Sequence, residues 1–291
     1  MTNLRADHFS ETEINEPVQL PTTELEIAEW RDGIEGSVVQ KLCDQVIEEA
    51  PVALVYNGIS HAVMMVTPNN LEAFALGFSL SEGVLESPDQ LYDITVKRQN
   101  RGLEIAMQIS PERFATLKDR RRNMTGRTGC GLCGAESLEQ AIREPERLLH
   151  DPVFSHRAIN NAVQQFRSQQ QLFEQTGSAH GVALCGSEGD IELLCEDVGR
   201  HNAMDKLFGE QCRLAKYQDQ AAMADRFILI SSRASYELIL KTAAMGVGML
   251  VAVSAPTSLA VKHAKHANII LAGFARDGRH LIYTYGDRVL D

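Results

Sequence analysis

The strongest constraint on the fold lies in the second half of the chain, where short apolar, β-branched runs alternate with helical patterns. Strands are predicted at His180–Cys185, Ile191–Cys195, Phe227–Ser231, Met249–Ser254, Asn268–Phe274 and Leu281–Tyr285. Helices are predicted from Arg157 to Gln175, from about Gly199, over Tyr236–Met245 and over Leu259–His266. Short apolar runs followed by helices imply a layered α/β sheet that is at least partly parallel. The first half reads differently. Leu25–Trp30 alternates like a strand, and Val52–Tyr56 and Ile59–Val66 flank Asn57-Gly58, the signature of a type I′ hairpin. Thr67-Pro68-Asn69-Asn70 opens an amphipathic helix that ends near Gly83, and a second hairpin joins Ile94–Val96 to Leu103–Ile109. Ser110-Pro111-Glu112 combines a cap, a first-turn proline and an acidic residue at the positive end of the dipole, so it starts another helix.

The class is therefore α/β (α+β). Pro145 and Pro152 mark a linker, which gives three parts: a polar tail over 1–21, an α+β domain over 22–152 and an α/β domain over 153–291. With 291 residues, 44% of them hydrophobic, the chain has enough apolar material for two such units. Its formal net charge of −11, from 39 acidic and 28 basic residues, argues against coating nucleic acid or an anionic membrane by bulk charge. Met1–Pro21 has no apolar h-region and no later run approaches ~18 apolar residues, so neither a signal peptide nor a membrane span is expected. Of the six cysteines, at 43, 130, 133, 185, 195 and 212, only one pair is close-spaced. That is not a disulfide framework, and a reducing compartment, the cytoplasm, fits it.

The close pair lies in Thr128-Gly129-Cys130-Gly131-Leu132-Cys133-Gly134, a Gly-rich stretch between two predicted helices. A structural zinc site needs four ligands, and no second Cys-x-x-Cys accompanies this one, although His263 and His266 are spaced i, i+3. No metal ligand is assigned. A thioredoxin-type pair expects the first cysteine after a strand, at a helix N-terminus. Two thiols in a loop suit a different task, taking up sulfur in one place and releasing it in another. Arg120, Arg121, Arg122 and Arg127 precede the pair, and cations favour the thiolate that such chemistry needs. Cys130 is the candidate persulfide carrier and Cys133 its companion.

A ligand site is suggested elsewhere. Glu196-Asp197-Val198-Gly199-Arg200-His201-Asn202-Ala203 follows a strand directly, with Gly199 allowing backbone N–H groups to approach an anion and Arg200 and Lys206 adding charge. Ser232-Arg233-Ala234-Ser235, Ser254-Ala255-Pro256-Thr257-Ser258 and Phe274-Ala275-Arg276-Asp277-Gly278-Arg279 also follow predicted strands. Ligands of open α/β sheets bind beyond the carboxyl ends of the strands. Four such loops carrying Arg200, Arg233, Arg276 and Arg279 in an acidic protein point to a dinucleotide-like ligand with several phosphates. Neither a P-loop nor a Gly-x-Gly-x-x-Gly turn is present, and the zinc-deaminase signature is not met.

In these stretches, together with Pro51–Gly58 and Ser231–Glu237, the chain resembles the formate dehydrogenase accessory sulfurtransferases over nearly its whole length after the tail. The resemblance implies a sulfurtransferase to which a cysteine desulfurase passes sulfur as a persulfide on Cys130, with Cys133 as companion. It implies delivery of that sulfur to molybdenum in bis-molybdopterin guanine dinucleotide, bound as cargo, before the cofactor enters the formate dehydrogenase catalytic subunit. It further implies a C-terminal cytidine-deaminase-like three-layer αβα domain, a smaller β-rich N-terminal domain carrying the Cys-x-x-Cys loop, and a homodimer. The cofactor contacts it suggests include Phe274, Ala275, Arg276, Asp277, Gly278 and Arg279, alongside Gly199, Arg200, His201, Ser232 and Arg233 from the strand-end loops, with a guanine nucleotide as partial mimic. Two other readings stay open: a cofactor-binding chaperone without sulfur chemistry, and a thiol-disulfide oxidoreductase.

Overall fold

The computed structural model describes residues 19–32, 37–124, 144–214, 223 and 225–291. It opens with an antiparallel ribbon of β1 (Thr22–Arg31) and β2 (Val38–Ile47). A four-stranded sheet of order β4-β3-β6-β5 follows, built from β3 (Ala50–Tyr56), β4 (Ile59–Val66), β5 (Leu91–Gln99) and β6 (Gly102–Ile109). The hairpin expected at Asn57-Gly58 is there, with φ of 46° and 80°, the two left-handed positions that a type I′ turn requires. Strand side chains alternate between faces. Accordingly Val52, Leu54 and Tyr56 of β3 and Leu103, Ile105 and Met107 of β6 point to one buried side, where α1 (Leu71–Ser81) adds Leu71, Phe74 and Phe78. The next helix, α2 (Pro111–Met124), starts where its sequence predicts, with Ser110 Oγ accepting the Arg113 N–H at 3.4 Å.

The second half holds a six-stranded sheet of order β13-β12-β11-β10-β8-β9. Its strands are β8 (His180–Cys185), β9 (Ile191–Asp197), β10 (Phe227–Ile230), β11 (Met249–Ala252), β12 (Ile270–Arg276) and β13 (Arg279–Ile282). Each face carries its own apolar core. One packs α5 (Arg200–Arg213), α6 (Tyr236–Ala244) and α7 (Ser258–Ala267) through Met204, Leu238 and Ala264. The other packs α3 (His156–Gln169) through Ile159, Ala162 and Phe166. The mixed α/β class is thus as the alternation of runs and helices demands. A short parallel pair, β7 (Phe154–Ser155) with β14 (Val289–Leu290), ties the end of the chain to the start of this half.

Two expectations need correction. The helix over Arg157–Gln175 is broken: α3 ends at Gln169 and α4 (Gln171–Thr176) restarts after Gln170. The cause is Glu196 on β9, whose carboxylate accepts the N–H groups of Leu172 at 2.7 Å and Phe173 at 2.9 Å and so caps the second helix. The last hairpin strand lies at Arg279–Ile282, not Leu281–Tyr285, because Arg276 pairs directly with Arg279 around Asp277-Gly278. Further on, Thr284 Oγ1 takes the Leu271 N–H at 2.7 Å, a side chain standing where a strand would offer a carbonyl.

The two halves meet where α1 crosses α5. A Cβ on Gly77 would overlap the backbone carbonyl of Asp205, and one on Gly209 would overlap that of Ala73, so glycine alone permits this approach. Ala normally favours a helix interior by about 1 kcal/mol over Gly. At Gly209 the sign reverses: Gly209→Ala is expected to lower stability by about 1–3 kcal/mol through overpacking, measured by urea unfolding.

Candidate functional site

Strands β10, β11 and β12 are mutually parallel, and β8 is antiparallel to both β9 and β10. Hence β9, β10, β11 and β12 all present their carboxyl ends on one edge of the sheet, with the turn into β13 beside them. The loops holding Gly199–His201, Ser232–Arg233, Ser254–Thr257 and Phe274–Arg279 are therefore brought to a common rim. Four strand spacings separate β9 from β12, about 19 Å, the reach of an extended ligand.

Adjacent loops are knitted together by backbone. Thr257 N–H donates to Ala234 O at 3.0 Å, and Phe274 N–H to Ser254 O at 3.1 Å. Arg276 donates to the carbonyls of Val253 and Ala275. Ser232 is buried and donates to Arg233 O at 3.1 Å, leaving the Arg233 side chain exposed. Ala275 is buried in the core of the α3 face, whereas Phe274 and Arg279 are exposed. Phe274 has φ 52°, a backbone region that costs a bulky residue energy, beside the register shift between Gly273 and Arg276. An aromatic side chain held exposed by a strained backbone at a loop rim is a candidate contact.

At the β9 end the geometry corrects one assignment. Lys206, offered above to a phosphate, is 1% exposed and lies 2.6 Å from Asp197, itself wholly buried. Its ammonium also donates to Thr67 O at 2.9 Å and Asn69 Oδ1 at 2.5 Å. Burial pushes the Lys206 ammonium below its ordinary range, against the pull of Asp197. Asp197 in turn accepts the N–H groups of Gly199 at 2.7 Å and Thr67 at 3.0 Å, and Asn202 Nδ2 at 2.9 Å. Asp197 thus takes the place that an anion would occupy, and Arg200 and His201, both half-buried, are what this loop offers outward. A second buried pair, Lys241 with Asp205 at 2.7 Å, also engages Ser81 and Glu82 of the first half.

Sequence reasoning missed three neighbours of this rim. His180, at the start of β8, lies 3.5 Å from Ser231 Oγ, and Glu237, in the first turn of α6, lies 3.4 Å from His201 Nε2. Burial, then Arg200, then Lys241 push His201 down to about 4, so it is neutral at pH 7. Burial and Arg200 lower His180 as well. Positive charge at this end of the rim rests on arginine. The third is the surface of α3 facing the last hairpin: Gln164 Nε2 donates to Asp277 Oδ1, Gly278 N–H donates to Asn160 Oδ1, and His156 Nδ1 meets His280 Nε2, each at 2.7 Å. Its signal was the i, i+4, i+8 spacing of polar residues along one helix flank.

Cys130 and Cys133 lie outside the described residues. Among the described cysteines, Cys185 and Cys195 are buried and Cys212 is half-buried. Burial pushes all three thiols up, Cys195 and Cys212 to about 12. They are protonated and inert at neutral pH. Cys43 is exposed on the ribbon opposite Glu26.

The model of the FdhD/NarQ family matches residues 47–290. The chain belongs to that family. A curated relative, the sulfur carrier protein FdhD of Cupriavidus necator, is 48% identical over 263 residues, 90% of this chain and 88% of the relative. A crystal structure from Desulfotalea psychrophila, provisionally assigned as a formate dehydrogenase accessory protein, superimposes with a TM-score of 0.67 at 22% identity, covering 92% of this chain and 99% of that one. The last likeness speaks to the fold alone. Both the rim and the Cys130/Cys133 stretch fall inside the matched span. Among the described residues no helix is long and apolar enough to cross a membrane.

Proposed function

We propose that this family member is a cytoplasmic sulfur carrier for formate dehydrogenase that receives sulfur on Cys130 from a cysteine desulfurase and passes it to a molybdenum cofactor. The observation that carries the reading is the 48% identity to a sulfur carrier protein across 90% of the chain, with the thiol pair inside the family span. Loading needs no net redox change. The Cys130 thiolate attacks the outer sulfur of the donor persulfide, the donor S–S bond breaks, and the donor cysteine leaves as thiolate. Release is completed by Cys133, whose thiolate attacks Cys130 Sγ, closes a disulfide and expels hydrosulfide, so the two electrons come from the pair itself and an external dithiol must reduce the disulfide before the next loading.

The rim is assigned to the cargo, bis-molybdopterin guanine dinucleotide. Its length of about 19 Å suits an extended ligand, its arginines suit phosphates, and exposed Phe274 suits a planar ring. In the same reading the α3-to-α7 half is a cytidine-deaminase-like three-layer αβα domain, residues 22–152 form the thiol-bearing domain, and the working unit is a homodimer.

Guanosine diphosphate is the test ligand. Calorimetry is expected to show binding that weakens with salt, as screened charge contacts do. Arg279→Glu should weaken it by about tenfold or more while a one-sulfur mass adduct still forms at Cys130 on incubation with desulfurase and cysteine. No binding by the wild-type protein would remove the rim from the mechanism. Binding with no sulfur adduct would favour a chaperone.

A further inference from the structure

The last hairpin is gripped from outside the rim. Along α3, His156, Asn160 and Gln164 fall on one flank because residues four apart lie on neighbouring turns of the same face. They meet the hairpin at three points, His280 of β13 and, in the turn, the Gly278 N–H and Asp277. The helix has no need of these contacts to stay on the sheet, since Ala158, Ile159, Ala162 and Phe166 on its neighbouring face are buried and do that. The hairpin, by contrast, has little else to hold its tip: β13 is a four-residue edge strand, and Asp277, Gly278 and Arg279 are all exposed. On its other side the hairpin is joined to the β11 loop through Phe274 N–H and Arg276. A short edge hairpin clamped on both sides, with Phe274 and Arg279 exposed on it, is built to hold those two side chains in one place.

We propose that His156, Asn160 and Gln164 form a positioning ladder that sets where the Phe274–Arg279 hairpin presents its groups to a phosphate-bearing ligand. The inference rests on reading that hairpin as a ligand contact. The ladder residues touch no ligand. They act by removing the freedom that the tip would otherwise lose on binding, which is how preorganisation raises affinity. The His156–His280 contact needs one proton between the two ring nitrogens, and the stacked rings lie 4.9 Å apart. The Asn160 contact is simplest to test, because only an acceptor is required of it.

Asn160→Leu removes the acceptor and Asn160→Asp retains one. In Asn160→Leu, amide hydrogen exchange over residues 275–280 is expected to speed up about tenfold and the Kd for guanosine diphosphate to rise about tenfold. The thermal midpoint and sulfur loading at Cys130 should stay at wild-type values. Asn160→Asp should restore slow exchange, which a merely packed side chain would not require. Unchanged exchange in Asn160→Leu overturns the ladder. Faster exchange with unchanged affinity overturns its role toward the ligand. If the wild-type protein binds no guanosine diphosphate, the ligand reading of the hairpin fails, and the exchange measurement still decides whether the ladder orders it.

Discussion

Cys130→Ala is expected to abolish activation of a client formate dehydrogenase, a loss of roughly a thousandfold or more, as removal of a covalent nucleophile usually causes. Folding should be untouched, since the stretch around Cys130 is rich in glycine and has no apolar periodicity through which to join a core. Cys185, Cys195 and Cys212 cannot replace it, because burial holds all three as thiols. Cys133→Ala should differ in kind, still loading sulfur from the desulfurase but releasing it slowly, because the internal attack that expels hydrosulfide is gone. Single-turnover transfer of labelled sulfur separates the two steps. Full activation by the Cys130→Ala protein would end the persulfide assignment, and loss of loading in Cys133→Ala with normal loading in Cys130→Ala would exchange the roles.

The largest effect on stability is expected from Asp197→Ala. The substitution strands the Lys206 ammonium at 1% exposure, and it also leaves the N–H groups of Gly199 and Thr67 without their acceptor. Breaking a buried pair by removing one partner costs about 3–5 kcal/mol, because the charge left behind is uncompensated. For a chain of this size that lowers the melting temperature by roughly 10 °C. The double variant Asp197→Ala/Lys206→Met should recover part of the loss, since no charge is then stranded. Thermal unfolding of the four proteins of the cycle checks this. A single-variant loss below about 1 kcal/mol would show that the pair adds little to the stability of the fold. The pair also fixes the loop from which Arg200 and His201 project, so Asp197→Ala should weaken guanosine diphosphate binding as well.

Local chemistry was enough for much of the architecture. The Asn57-Gly58 hairpin and the helix start at Ser110-Pro111-Glu112 follow from a few adjacent residues, because turn angles and caps are decided over three or four positions. The strand and helix alternation of the second half is legible for the same reason, since burial on a sheet demands short apolar runs. The thiol pair, too, was visible as a pattern of residue types. Other features depended on distant partners. Whether Lys206 faces a ligand or an internal carboxylate is settled by Thr67 and Asn69, more than a hundred residues away. The break at Gln170 comes from Glu196, a carboxylate on another element. The rim exists only because β8 is inserted antiparallel between β9 and β10, which turns the ends of β9 and β10 to the same edge. Such pairings are set by the whole sheet, whose register minimises exposed apolar area over all six strands at once, and no segment of sequence carries that sum. The sequence by itself determined the elements and the chemistry available to them; the tertiary structure decided which charges are internal ties and which reach the rim, because burial is a property of the assembled core.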